Sequence, residues 1–80
     1  QWIEGNINAG DKVVIVDDVI TTGKSTMEAI DRVIGAGLEI VRVIALVDRQ
    51  EGGKENIESQ GYKVESIITR EDIMALYRFR

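Results

Sequence analysis

Val13, Val14, Ile15 and Val16 form an unbroken β-branched run that leads straight into Asp17 and Asp18. Continuous apolar runs fit strands buried on both faces, as in parallel sheets. The acids are followed by Val19, Ile20, Thr21, Thr22, Gly23, Lys24, Ser25 and Thr26, a short loop of hydroxyls and glycine. Past that loop the apolar period changes. Met27, Ile30, Val33 and Ile34 recur at helical spacing, with Glu28, Asp31 and Arg32 between them. A buried strand, a tight turn and an amphipathic helix make a βα unit, and that unit commits the chain to a sheet with crossover helices.

The rest of the chain repeats the alternation. The spacing predicts a helix over 25–34 that starts near Gly23 or Lys24 and stops at Gly35-Ala36-Gly37. Residues 38–47 read as a second strand, ending in Asp48-Arg49-Gln50. Glu51-Gly52-Gly53 is a loop, 54–60 a short polar helix closed by Gly61, and 62–68 a third strand. Thr69 is an N-cap, with Asp72 three residues on, for a last amphipathic helix over 73–77. Ahead of the first strand, Asn6 to Asp11 has turn composition. The order β-α-β-α-β-α predicts an α/β fold with a three-stranded parallel sheet. In such sheets ligands sit beyond the carboxyl ends of the strands, where Asp17-Asp18 and Asp48-Arg49 both fall.

Composition narrows the chemistry. Eighty residues make one small domain, and chains of this size bury only about 60% of their unfolded surface. There is no cysteine and no histidine, so disulfides, thiolate metal sites and the commonest general base are excluded. Chemistry must come from carboxylates, Lys, Arg, hydroxyls, backbone amides or a bound metal. The net charge of −4 argues against nucleic-acid binding, which needs a basic footprint. No apolar run approaches the roughly 20 residues that span a bilayer. No secretory leader is read at the front, and a cytoplasmic setting is expected.

The turn at 21–26 feeds a helix N-terminus, which presents unpaired amides and a partial positive charge. An anion fits there. Gly23 allows close approach, and the hydroxyls of Thr21, Thr22, Ser25 and Thr26 add donors. The residues alone leave open a phosphate cradle or an ordinary βα turn. Asp17 and Asp18 repel each other and want a partner, which sugar hydroxyls or Mg²⁺ would supply; a solvated strand end is the alternative. Two other readings fit poorly. Thr22-Gly23-Lys24-Ser25 mimics the end of a Walker A motif, but that motif's first glycine falls at Asp18. A receiver domain with Asp48 as phosphoacceptor lacks a strand and helix between the acidic pair and the acceptor.

Residues 13–26 closely resemble the phosphoribosyl pyrophosphate (PRPP) motif of the type I phosphoribosyltransferases: four apolar residues, two acids, two variable residues, then Thr-Thr-Gly. Three further segments resemble the orotate branch of that family: 3–10, 46–53 with its Asp48-Arg49-Gln50-Glu51-Gly52-Gly53, and 64–69. The resemblance covers essentially all of residues 1–80. It implies a partial type I phosphoribosyltransferase (Rossmann-like) fold, the C-terminal half of the domain. It also implies transfer of phosphoribosyl from Mg²⁺-PRPP to orotate, with release of pyrophosphate. The PRPP site would comprise Asp17, Asp18, Val19, Ile20, Thr21, Thr22, Gly23, Lys24 and Ser25. Asp17 and Asp18 would take the ribose hydroxyls and stabilise the charged transition state. Arg49 would pair with the orotate carboxylate, and Thr21 would also touch the base. Mg²⁺ would arrive with PRPP.

Lys24 departs from the small residue of many relatives; its amide serves equally, and its ammonium either faces the phosphate or is solvated. The family's upstream half, with its pyrophosphate loop and mobile catalytic loop, is absent from residues 1–80. Contact with that half or with a second subunit, as in a homodimer, is therefore expected. A non-catalytic phosphate- or PRPP-binding fragment, a structural fragment, or another type I transferase such as a purine-salvage enzyme are the alternatives. Trp2, Tyr77 and Phe79 read as packing or end residues rather than ligand stacks, Glu51, Lys54, Glu55 and Glu58 as a solvated face, and Arg78 and Arg80 as a frayed end.

Overall fold

The computed structural model describes residues 1–5 and 10–78. Its elements run β1 (Trp2–Glu4), β2 (Lys12–Ile20), α1 (Lys24–Gly35), β3 (Glu39–Asp48), α2 (Gly53–Glu58), β4 (Val64–Thr69) and α3 (Arg70–Arg78). The turn expected at 6–9 lies outside the described residues, as do Phe79 and Arg80. The strands form one sheet in the order β1-β2-β3-β4. β2, β3 and β4 are parallel, and β1 joins the edge of β2 antiparallel.

The sheet has one strand more than the three expected. β1 is three residues long and exposed throughout, too short to show a period in sequence. β2 also runs past its expected end at Val16. Asp17 pairs with Ala45, Val19 with Val47 and Ile20 with Asp48. The acidic pair therefore sits inside the ladder, and the free turn is only residues 21–23. Backbone pairing holds the chain extended there, even though the side chains no longer look like a buried strand.

The core is a single apolar cluster. Val13, Ile15 and Ile20 of β2, Val43 and Ala45 of β3 and Val64 of β4 meet Ile30 and Val33 of α1 and Ile57 of α2. α1 presents Ala29, Ile30 and Val33 at helical spacing toward the sheet, as its sequence period requires. Every second residue is buried from Val13 to Asp17 on β2, with Val16 buried as well, and from Val43 to Ala45 on β3, and the pattern then breaks phase at the same level. It passes from Asp17 to Ile20 on β2 and from Ala45 to Asp48 on β3. The strand ends thus turn together into the loops before α1 and α2.

α2, expected as a polar helix, sends one apolar side chain into the core: Ile57 is fully buried while Glu55, Asn56 and Glu58 face solvent. The expected cap of the last helix is present as a reciprocal pair. Thr69 N donates to Asp72 Oδ2 at 2.9 Å, and Asp72 N donates to Thr69 Oγ1 at 3.1 Å.

Because Ile57 is the apolar anchor of α2, Ile57→Ala is expected to cost about 2–5 kcal/mol in chemical denaturation. Ile34→Ala, at a 45% exposed site on α1, should cost no more than about 0.5 kcal/mol. Equal losses would place the anchor of α2 elsewhere.

Candidate functional site

The strands β2 and β3 end side by side, and each continues into a loop that opens a helix. The loop after β2 is held by its carbonyl groups. Ile20 O accepts from Arg49 N at 3.0 Å, and Thr21 O from Gly53 N at 3.0 Å. Thr22 O accepts from the Asn56 side-chain amide at 2.9 Å, and Gly23 O from Met27 N at 2.9 Å. Four successive carbonyls are thus engaged by the body of the protein. A trans peptide is planar, so its N–H points opposite to its C=O. The amides of Thr22, Gly23 and Lys24 therefore point away from their anchored carbonyls, and they make no hydrogen bond among the described residues.

Gly23 makes this path possible. It lies at φ 87° as the residue before α1, with no side-chain cap. A side chain at that φ would cost roughly 1–2 kcal/mol, and an added Cβ would lie 3.0 Å from Gly53 O. Behind the free amides runs the 12-residue α1, whose dipole adds a positive end to the same turn. Three N–H groups without a protein partner at a helix start suit an anion with several oxygens, such as a phosphate; Thr22 and Lys24 are exposed and Gly23 is buried.

The two acids have separate environments. Asp17 is buried, and its Oδ2 accepts from the buried Thr26 hydroxyl at 2.7 Å and from the Gln1 side-chain amide at 3.2 Å. Asp18, one residue on, is exposed. The mutual repulsion expected of adjacent carboxylates is relieved by this division, one satisfied by hydroxyl and amide donors and the other by solvent. The other expected residues divide in the same way. Thr22, Lys24 and Ser25 are exposed, Thr21 is half-buried, and Val19 is 46% exposed. Ile20 is 1% exposed, so its side chain belongs to the core and only its backbone reaches the loop.

Arg49 lies at the matching end of β3. It is exposed and pairs with Glu51, Nε to Oε2 at 3.1 Å. Its backbone is held on both sides. Gln50 takes φ 57°, its N donates to Asp48 Oδ1 at 2.8 Å, and its Oε1 accepts from Glu71 N at 2.9 Å. The Arg49 side chain therefore projects from a loop tied to β2 and to the start of α3. An open cleft of about 520 Å³ lies here, lined by Val19 and Val47, Arg49 and Glu51, and Arg70, Ile73 and Met74 of α3. A second cavity of about 480 Å³ lies between β1 and α1, lined by Trp2, Ile3, Ile15 and Val33 among others. It contains none of the residues of the turn or of the Arg49 loop.

Thr26, expected among the hydroxyl donors of the turn, is instead buried and donates to Asp17, while Gly53 and Asn56, the anchors of the turn, were not picked out from sequence. Only the Gly52-Gly53 pair carried a visible signal, since adjacent glycines mark close backbone approach. Among the described residues, no group of three or more His, Cys, Asp or Glu is gathered to hold a metal ion.

Known proteins carry the same arrangement of sequence and fold. An orotate phosphoribosyltransferase of Synechocystis sp. is 47% identical over 78 residues, covering 96% of this chain and 39% of the relative. The solved UMP synthase of Leishmania donovani superposes with a TM-score of 0.85 at 40% identity, over 94% of this chain and 17% of that one. The Mycobacterium tuberculosis orotate phosphoribosyltransferase, solved in complex with 5-phospho-α-D-ribosyl 1-diphosphate, superposes with a TM-score of 0.73 at 38% identity, over 76% and 37%. The chain thus spans well under half the length of the relatives it matches. The family described as the phosphoribosyl transferase domain matches residues 4–76, and this chain belongs to that family.

Proposed function

We propose that these residues form the PRPP-binding half of an orotate phosphoribosyltransferase. The observation that carries this reading is the row of engaged carbonyls from Ile20 to Gly23, which leaves the Thr22, Gly23 and Lys24 amides to a phosphate. Relatives named orotate phosphoribosyltransferase support the reaction proposed here: phosphoribosyl passes from PRPP to a ring nitrogen of orotate, giving orotidine 5′-monophosphate and pyrophosphate.

In this reading the turn grips the 5-phosphate, with the Ser25 and Thr22 hydroxyls as added donors. Asp18 takes a ribose hydroxyl directly. Asp17, fixed by Thr26, supports the acidic side of the sugar from within. As the bond from the sugar's anomeric carbon to pyrophosphate breaks and the bond to the base nitrogen forms, positive charge develops on the ribose ring. The two carboxylates are already in place for it, so little reorganisation is needed at that moment. Mg²⁺, where bound, would neutralise pyrophosphate charge. Exposed Asp18 is the carboxylate available to it, with the remaining ligands coming from the polyphosphate and water.

Arg49 takes the orotate carboxylate. Its planar fork suits a carboxylate better than a lysine would, and its pairing with Glu51 keeps the guanidinium ordered until a substrate carboxylate replaces that partner. This favours the orotate branch over purine salvage, because a purine base offers no carboxylate to a guanidinium. The exposed Leu46 and Ile67, at 38% and 66%, together with exposed Trp2, suit contact with the rest of a transferase or with a second subunit.

Four outcomes test this. In the complete transferase, Arg49→Ala should raise KM for orotate roughly tenfold or more, the scale of a lost charge-assisted bond, while KM for PRPP moves little; equal losses would remove Arg49 from the base side. Asp18→Asn should lower kcat with the fold intact, whereas Asp17→Asn should also lower the melting temperature, since a buried partner of Thr26 is altered. Calorimetry with Gly23→Val should show no ribose 5-phosphate binding, and retained affinity would contradict the amide turn. Light scattering of the 80-residue chain should show self-association with rising concentration, against a monomer throughout if the apolar surface has no partner.

A further inference from the structure

The turn that would hold the phosphate contains Gly23, a residue free to adopt either sign of φ. That freedom is a hazard as well as a convenience. The Thr22–Gly23 peptide can rotate as a unit, and a half-turn would bring the Thr22 carbonyl to where the Gly23 amide points. A carbonyl oxygen there would repel a phosphate. Something outside the turn must select the amide-out state.

We infer that Asn56 of α2 is that selector, a positioning residue for the phosphate turn, assisted by Gly53; the inference rests on the phosphate role proposed above. The Asn56 side-chain amide donates to Thr22 O at 2.9 Å, the carbonyl whose rotation would spoil the site. Gly53 fixes the neighbouring peptide by donating its N–H to Thr21 O at 3.0 Å. It reaches that position only because it lacks a side chain. A Cβ on Gly53 would fall 2.5 Å from Thr21 O, 3.0 Å from Gly23 N and against the Ile20 side chain. α2 is thus pressed onto the turn at backbone distance, and Ile57, one residue past Asn56, seals the helix into the core.

Asn56 has no evident reason to be there as a helix residue. Asn is a poor helix former, and Asn56 is exposed, so packing does not choose it. A Lys, Glu or Gln at an exposed position of a six-residue helix would serve α2 better. What Asn brings is a short, stiff amide donor at the height of the turn. Asn56 touches no substrate in this account. It acts by raising the fraction of molecules in which the amides already face outward. Apparent affinity scales with that binding-competent fraction.

The test is titration of the complete transferase with inorganic phosphate and with ribose 5-phosphate, following the backbone N–H resonances of Thr22, Gly23 and Lys24. In the wild type all three should shift. Asn56→Leu removes the donor without adding charge and should weaken phosphate roughly three- to tenfold, the range one net hydrogen bond supports. Its melting temperature should hold, since Leu is the better helix former. Asn56→Gln keeps an amide and should recover part of the loss, whereas Asn56→Asp should bind less well than Asn56→Leu. If the wild-type amides respond and Asn56→Leu binds as tightly as wild type, the positioning role is overturned while the phosphate turn stands. If phosphate leaves the three wild-type amides unmoved, the phosphate turn itself fails and the inference falls with it.

Discussion

The planarity of the peptide bond does most to shape this molecule's chemistry. Each amide in the turn after β2 is aimed by the fate of the carbonyl bonded to it. Ile20 O is taken by the start of the Arg49 loop, Thr21 O and Thr22 O by α2, and Gly23 O by the first turn of α1. Once those oxygens are spoken for, the N–H groups of Thr22, Gly23 and Lys24 point away from them, with Thr22 and Lys24 exposed and Gly23 buried. No side chain has to be charged for this, and the net charge of the whole chain is negative. An anion site built from backbone dipoles does not depend on basic residues, and it can follow a pair of aspartates with only Val19 and Ile20 between them and the turn.

That neighbourhood is tolerable because the aspartates are treated differently. Burying a carboxylate without hydrogen-bond partners is costly, and Asp17 is supplied with the Thr26 hydroxyl and the Gln1 amide. Asp18 remains in water. The breaking of the burial pattern at Asp17 and Ala45, then Ile20 and Asp48, is the same event seen from the backbone. The strands bend into their loops together, so Asp18, the turn and Arg49 all emerge at one end of the sheet.

Much of this was legible in sequence. The β-branched run of 13–16, the helical period from Met27 to Ile34 and the Thr69–Asp72 cap are local signals, and each produced its element. β1 was not, because three exposed residues owe their strand to the neighbour they pair with rather than to their own pattern. Ile57 was masked by its polar surroundings: a six-residue helix needs only one buried side chain, and one apolar residue makes no period. Asn56 and Thr26 could not be found by inspection, since their partners lie 34 and 9 positions away in the chain. Residues 21–25 and Arg49 stand out in sequence because they are the surface a ligand would meet. The residues that aim them are ordinary in type and recognisable only once the chain is folded.

The most direct measurement is a crystal of this chain soaked in ribose 5-phosphate. If the turn holds a phosphate, its density lies at the start of α1, with oxygens about 3 Å from the nitrogens of Thr22, Gly23 and Lys24, the distance of an N–H···O bond, and with the sugar hydroxyls turned toward Asp18. Phosphate density settled elsewhere on the sheet, with those three amides left to water, would contradict the phosphate role of the turn.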